Sequence, residues 1–179
     1  MTGRLKPRVD MLPSQTSFAG FIPNPGIDWP KDHEPALARV FAQNTINIAA
    51  PPEVVWKQLV DCMRWPNWYS FCSDVSILRD GPLLGPTSQF RFKTLGFYFE
   101  PEIVRYEPFR LLVWSAKGPA GTSGAHAWYI EPTSSGCHLV TEESQRGLLL
   151  SIIGHRTRKR LLTAHDEWLR ALKVLAEKS

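Results

Sequence analysis

The sequence predicts an α+β domain in which a curved antiparallel sheet closes over one long C-terminal helix, with an apolar cavity between them. Three observations carry this. Segments with two-residue alternation follow one another from Arg39 to Gln145, separated by clusters of turn-forming residues. Residues 148–176 then change to a helical period. The links between successive strands are short, so neighbours run antiparallel, because parallel ones need long crossovers.

Residues 1–38 stand apart as a Pro-rich N-terminal arm. Pro7, Pro13, Pro23, Pro25, Pro30 and Pro35 fall too close together for a helix, and each removes a ladder donor from any strand. The arm reads either as an extended segment docked through Phe21 and Trp29 or as a mobile tail. Residues 39–179 form the domain proper. The first strand ends on Thr45-Ile46-Asn47-Ile48, and Pro51-Pro52-Glu53 then opens a short helix, with proline in its first turn and an acid where the helix dipole favours one. A second short helix around Pro66 is crowded with Trp65, Trp68, Tyr69 and Phe71, which read as a lid at the cavity mouth or as a cap on the core.

Six more strands bring the total to seven: 75–78, 88–94, 97–106, 111–116, 124–131 and 137–145. Turn chemistry separates them at Asp80-Gly81-Pro82, Leu95-Gly96, Glu107-Pro108, Gly118-Pro119 and Ser135-Gly136. The closing helix has no proline and a single glycine, Gly154. At about 100° per residue, Gly154, Thr157, Arg158, Leu161, His165, Trp168, Leu172, Leu175 and Ala176 share one face, opposite Arg156, Lys159, Arg160, Arg170, Lys173 and Glu177. An inward Gly154 would leave the hollow under the helix emptier.

Composition narrows the function classes. At 179 residues the chain suits one domain with a real core, and 43% hydrophobic with 21% charged residues is ordinary for a globular protein. The net charge of +4 is mild and its basic residues gather between Arg156 and Arg160, which argues against a nucleic-acid groove. Cys62, Cys72 and Cys137 lie at irregular spacing, so neither a disulfide framework nor a zinc site is indicated, and a reducing, cytoplasmic setting fits. No secretory signal follows the basic N-terminus, and no run reaches the ~18 apolar residues of a bilayer span. Nucleotide-binding glycine motifs, metal-ligand spacings and a nucleophile elbow are lacking, so no cofactor or metal is expected.

Taken together, Ile46-Asn47-Ile48-Ala49-Ala50-Pro51-Pro52-Glu53-Val54-Val55-Trp56, Trp65-Pro66-Asn67-Trp68 and Glu107-Pro108-Phe109-Arg110-Leu111-Leu112-Val113-Trp114 resemble the START-like (SRPBCC) superfamily, and within it the polyketide cyclase/dehydrase branch. Gly147 before the last helix and Trp168-Leu169-Arg170-Ala171-Leu172-Lys173 near its end extend the likeness, which covers about residues 39–177. The resemblance implies a helix-grip fold with the ligand cavity between sheet and helix. It leaves open the choice among the superfamily's cyclases, lipid carriers and receptors.

Candidate site residues are polar side chains on cavity-facing positions. On the helix, His165 and Arg158 lie about 20° and 40° from the apolar centre. His165 is either a satisfied core histidine or a general acid/base; Arg158 either snorkels along the sheet edge or anchors a carboxylate or phenolate. If Trp128 and Ile130 point inward, so does His126. If Leu139 does, so do Thr141, Glu143 and Gln145, although a bulge would substitute Glu142 for Glu143. Inward Val104 and Tyr106 would bring Glu102, Glu100 and Tyr98 with them. Phe90, Phe92, Trp114, Trp128, Leu161 and Trp168 read as cavity wall or core, suited to a flat aromatic guest.

These residues point to a cofactor-independent cyclase, dehydratase or isomerase acting on a hydrophobic, polyketide-like intermediate. In that reading His165 is the acid/base, Glu143 or Glu102 its carboxylate partner, and His126 or Arg158 polarises a carbonyl. The alternative is a carrier of a lipid or hydrophobic metabolite, with the same pocket and no paired acid and base. The partner in either case is a small hydrophobic or aromatic molecule, and the sequence is compatible with a homodimer.

Overall fold

Strand β1 (Val40–Ile48) enters helix α1 (Pro52–Val60), whose start carries proline and Glu53 in its first turn. A 3-10 segment (Cys62–Asn67) containing Pro66 follows, because proline cannot supply the N–H that an α-helix would need there. Then come β2 (Cys72–Arg79), β3 (Gln89–Thr94), β4 (Phe97–Phe99), β5 (Glu102–Glu107), β6 (Leu111–Lys117), β7 (Ser123–Thr133), β8 (Gly136–Arg146) and α2 (Leu150–Ala176). This is a computed structural model that describes residues 22–178. Phe21, expected to dock the arm, lies outside the described residues.

All pairings are antiparallel. The sheet runs β1-β8-β7-β6-β5-β3-β2, with β4 folded back on β3 as a hairpin. Eight strands replace the seven expected, because the long segment 97–106 divides at Pro101, which has no N–H for the ladder. A register shift between Ile103 and Arg105 then breaks simple alternation along β5. As a result Ile103 and Tyr106 face the main core, whereas Val104 packs on the opposite face of the sheet. The expectation that Val104 and Tyr106 share a face fails for this reason.

The main core lies between sheet and helix. Trp65 is its hub, with ring centroids 5.1–5.9 Å from Phe90, Phe92, Trp114 and Trp168. Trp65 is therefore part of the core and not a lid. Helix α2 buries Leu161, Ala164, His165, Trp168, Leu169, Leu172 and Ala176 against the sheet, close to the face drawn by the helical wheel. Gly154 serves a different purpose from the one expected. A Cβ there would lie 3.2 Å from the Val40 side chain, so the glycine lets α2 approach β1 and does not empty the cavity.

The other face of the sheet is covered too. Ile27 and Trp29 pack with Phe41, Leu111, Val113, Ala125 and Ala127. Residues 22–38 thus shield the apolar outer side of β1, β6 and β7. Among the described residues no helix is long and apolar enough to cross a membrane.

Candidate functional site

Between the sheet and the N-terminal half of α2 lies a cavity of about 280 Å³, just below the range of roughly 300–1,000 Å³ common for ligand pockets. Its inner wall is formed by Tyr69, Phe92, Trp114, Leu161, Ala164 and Trp168. Tyr69 stacks on Trp168 with centroids 4.3 Å apart and planes at 18°. Leu95, Phe97 and Phe99 from the β3–β4 hairpin, Gly118, Pro119 and Thr122 between β6 and β7, and Leu149 and Ile153 at the start of α2 shape the outer part.

Three titratable side chains from three elements meet on this wall. Regular pairing of β7 with β8 sets His126 opposite Glu143, with no bulge between them, and α2 brings His165 down from above. His165 Nε2 lies 3.3 Å and His126 Nδ1 3.5 Å from the same carboxylate oxygen, Glu143 Oε2. The other oxygen, Oε1, accepts from Gln145 Nε2. His126 Nε2 lies 2.6 Å from Thr141 Oγ1. A carboxylate only accepts, so an attractive arrangement places N–H groups on His165 Nε2 and His126 Nδ1. His126 Nε2 is then the bare nitrogen and accepts from the Thr141 hydroxyl.

Electrostatics follow from this geometry. Burial lowers the pKa of His126 to about 3, aided by His165 and opposed by Glu143, so its ring is neutral at neutral pH. Burial works to raise the Glu143 carboxyl. The His165 hydrogen bond, the attraction of both imidazoles and Gln145 outweigh it and hold the group below the usual carboxylate range. Glu143 is therefore ionised at neutral pH. It is also the member of the trio most open to the cavity, at 16% side-chain exposure against 9% for His126 and 2% for His165.

The remaining candidates are placed less centrally. Phe92, Trp114, Leu161 and Trp168 line the cavity; Phe90, Trp128 and Thr141 are buried but do not. Trp128 stacks on His126 at 5.1 Å and Thr141 bonds it, so both support that ring from behind. Arg158 is half-buried and donates from Nε to the Phe41 carbonyl at 2.9 Å, tying α2 to β1 outside the cavity. Glu102 is exposed at the start of β5, and Tyr98 is exposed with its hydroxyl donating to Asp74. Neither reaches the cavity, because Phe97, Phe99 and Pro101 take the cavity side of this segment and the register shift between Ile103 and Arg105 reverses the alternation carried back from Tyr106. Glu100 pairs with Arg91 at the surface.

The sequence reading passed over the β3–β4 hairpin and the start of α2 as walls. The unbroken apolar run Leu148-Leu149-Leu150, with Ile152 and Ile153 after it, was the signal for the latter. Glu142, one position from Glu143, points to the other face. It is fully buried there, and its Oε1 accepts from Asn24 N at 2.7 Å and Gln43 Nε2 at 2.6 Å.

Chemically, the trio is a carboxylate held between two imidazoles at the wall of an apolar hollow. It can take a proton from a bound guest and return it. Its ligand atoms lie within 4.8 Å of one another, and two imidazoles with one carboxylate are also a donor set that a first-row transition ion would accept. No short sequence motif announces it, since the three residues come from separate elements.

Residues 39–177 match the family model described as polyketide cyclase/dehydrase and lipid transport. No curated protein matches the chain. Among solved structures, a hypothetical protein from Helicobacter pylori is 25% identical with a TM-score of 0.75, over 84% of this chain and 95% of that one. The di-domain ARO/CYC StfQ from the steffimycin biosynthetic pathway is 18% identical with a TM-score of 0.65, over 78% of this chain and 51% of that one. Ara h 8.0201 is 10% identical with a TM-score of 0.63, over 78% and 98% respectively. The last two likenesses establish the fold.

Proposed function

The chain belongs to the polyketide cyclase/dehydrase and lipid transport family, and from that premise we propose that it binds a hydrophobic, polyketide-like intermediate and moves a proton on it without a cofactor. The reaction class is cyclisation, dehydration or isomerisation. The observation that carries this is the convergence of His126 and His165 on one oxygen of Glu143, facing a mostly apolar cavity.

In this reading the carboxylate of Glu143 accepts a proton from carbon next to a carbonyl of the guest. The imidazole N–H of His165 positions the oxygen, the electron pair left behind passes to the carbonyl oxygen of the guest as an enolate, and the proton returns from the Glu143 carboxyl at a second atom of the guest. Relative exposure favours Glu143, not His165, as the group that meets the guest. His126, neutral and held by Thr141, orients the carboxylate. The aromatic wall of Phe92, Trp114 and Trp168 folds the guest and excludes water.

The test is to identify by untargeted mass spectrometry what co-purifies with the native protein and then to follow its turnover. Glu143→Gln keeps the shape and one acceptor oxygen for the two imidazoles, turns the other oxygen into a donor toward Gln145, and removes the base. Turnover is expected to fall by roughly a hundredfold or more, with guest affinity changed only a few-fold. Unchanged turnover would remove Glu143 from the mechanism. A second reading, carriage without turnover, is favoured by one observation: a carboxylate held low is a weak proton acceptor. Wild-type protein that binds the co-purified molecule and releases it unaltered supports the carrier.

A further inference from the structure

The start of α2 carries large apolar side chains that nothing among the described residues covers. Leu148 and Ile152 are 85% and 84% exposed and point away from the cavity, while their neighbours Leu149 and Ile153 line it. Phe97, at the tip of the β3–β4 hairpin across the opening, is 48% exposed. Apolar tips therefore stand on two sides of the mouth.

Along the chain, the segment that leads into α2 and through its first half carries charge of one sign. Between Glu143 and Asp166 there is no acidic residue, while Arg146, Arg156, Arg158, Lys159 and Arg160 fall in that interval. Leu148, Ile152, Arg156 and Lys159 follow one another at spacings of three and four, which places them in one stripe along the same side of the segment. Exposed Arg156 and Lys159 sit one to two turns above the apolar tip, about 6–11 Å at 1.5 Å per residue. That is the separation between a side chain buried at the acyl boundary and one resting among headgroup phosphates. Arg160 donates to the Leu95 carbonyl at 3.0 Å, which ties the helix to the hairpin so that the two apolar tips are presented together.

We propose that this rim is a docking surface for an anionic lipid bilayer, with Leu148, Ile152 and Phe97 entering the interface and Arg156 and Lys159 meeting the phosphates. The cavity mouth then opens at the membrane surface, so that a poorly soluble guest passes between bilayer and cavity without crossing water. The inference rests on the ligand-binding reading for its purpose but not for its test. Leu148, Ile152, Arg156 and Lys159 do not line the cavity.

Co-sedimentation of the full chain with vesicles of phosphatidylcholine alone, and with about a third phosphatidylserine, decides the matter. Binding is expected to the anionic vesicles and to weaken as salt is raised. Leu148→Ser with Ile152→Ser, and separately Arg156→Glu with Lys159→Glu, should each reduce it by roughly tenfold or more. Quenching of the cavity tryptophans by an apolar fluorophore should be the same in these variants as in wild type, so failure of the docking surface and failure of the cavity are read separately. The proposal is overturned if wild type ignores anionic vesicles, or if the variants bind them as well as wild type does. It is equally overturned if light scattering shows a dimer that loses its contact on Leu148→Ser and Ile152→Ser while vesicles stay unbound. Retention of the wild type by an acidic protein but not by lipid would also sink it.

Discussion

Glu142 and Glu143 are adjacent, and alternation sends one to each face of β8, where burial has opposite outcomes. Glu143 finds two imidazoles and stays ionised. Glu142 lies under residues 22–38 with only neutral donors, and burial raises its pKa to about 7 against the pull of Gln43 and Asn24. The sign follows by linkage. Below pH 4.5 both folded and unfolded chains hold the Glu142 proton, so there is no cost. Between about 4.5 and 7 the unfolded chain releases it first, and folding loses up to roughly 3 kcal/mol, a loss that stays constant above 7. Glu142→Gln should therefore be more stable relative to wild type at pH 8 than at pH 4.5, as measured by thermal melts of both proteins across that range. His126 and Glu143 are depressed and slope the other way, so the difference between variant and wild type is the quantity to read. The depressed Glu143 also sets an expectation for turnover, which should not fall on acidification until the pH drops below the ordinary carboxylate range.

Elements are fixed by a few backbone constraints. The β7–β8 hairpin turns at Gly136, where φ is +143° and an added Cβ would fall 2.1 Å from the Ile48 carbonyl oxygen and 2.8 Å from Ala50 N. Those are backbone atoms at the end of β1 and cannot yield as a flexible side chain would. Gly136→Ala should cost about 2 kcal/mol or more, read as a lower midpoint in urea. The reason it bears on function is positional: this turn sets the register that brings His126 opposite Glu143. Pro101 interrupts the ladder between β4 and β5 without changing face: Phe97, Phe99 and Pro101 line the cavity, Ile103 faces the same core, and alternation reverses only at the register shift between Ile103 and Arg105. That shift, not the proline, leaves Tyr98 and Glu102 off the cavity side.

At the scale of the molecule the sheet is buried by α2 on one side and, over β1, β6 and β7, by residues 22–38 on the other. Trp29 is 9% exposed and packs edge-on against Phe41 at 6.4 Å. Trp29→Ala should destabilise the fold by roughly 3 kcal/mol, seen in denaturant unfolding. The signature to look for is a change confined to stability, because Trp29 and the cavity lie on opposite faces of the sheet; altered guest affinity would contradict that separation.

Much of this was written in the chain itself. Two-residue alternation, turn residues and the apolar stripe ending in Trp168 and Leu172 suffice to define strands, order and the amphipathic helix, because these are local consequences of side-chain period and backbone sterics. His126 on β7 and Glu143 on β8 were legible as inward positions for the same reason. What local pattern does not contain is a break in that period. The shifted register in β5 and the seating of α2 on β1 depend on what packs opposite, and they decided that Glu102, Tyr98 and Arg158 stand outside the cavity. The meeting of His126, Glu143 and His165 was likewise decided in three dimensions, since their common point is fixed only when the pairing of β7 with β8 and the seating of α2 hold at once.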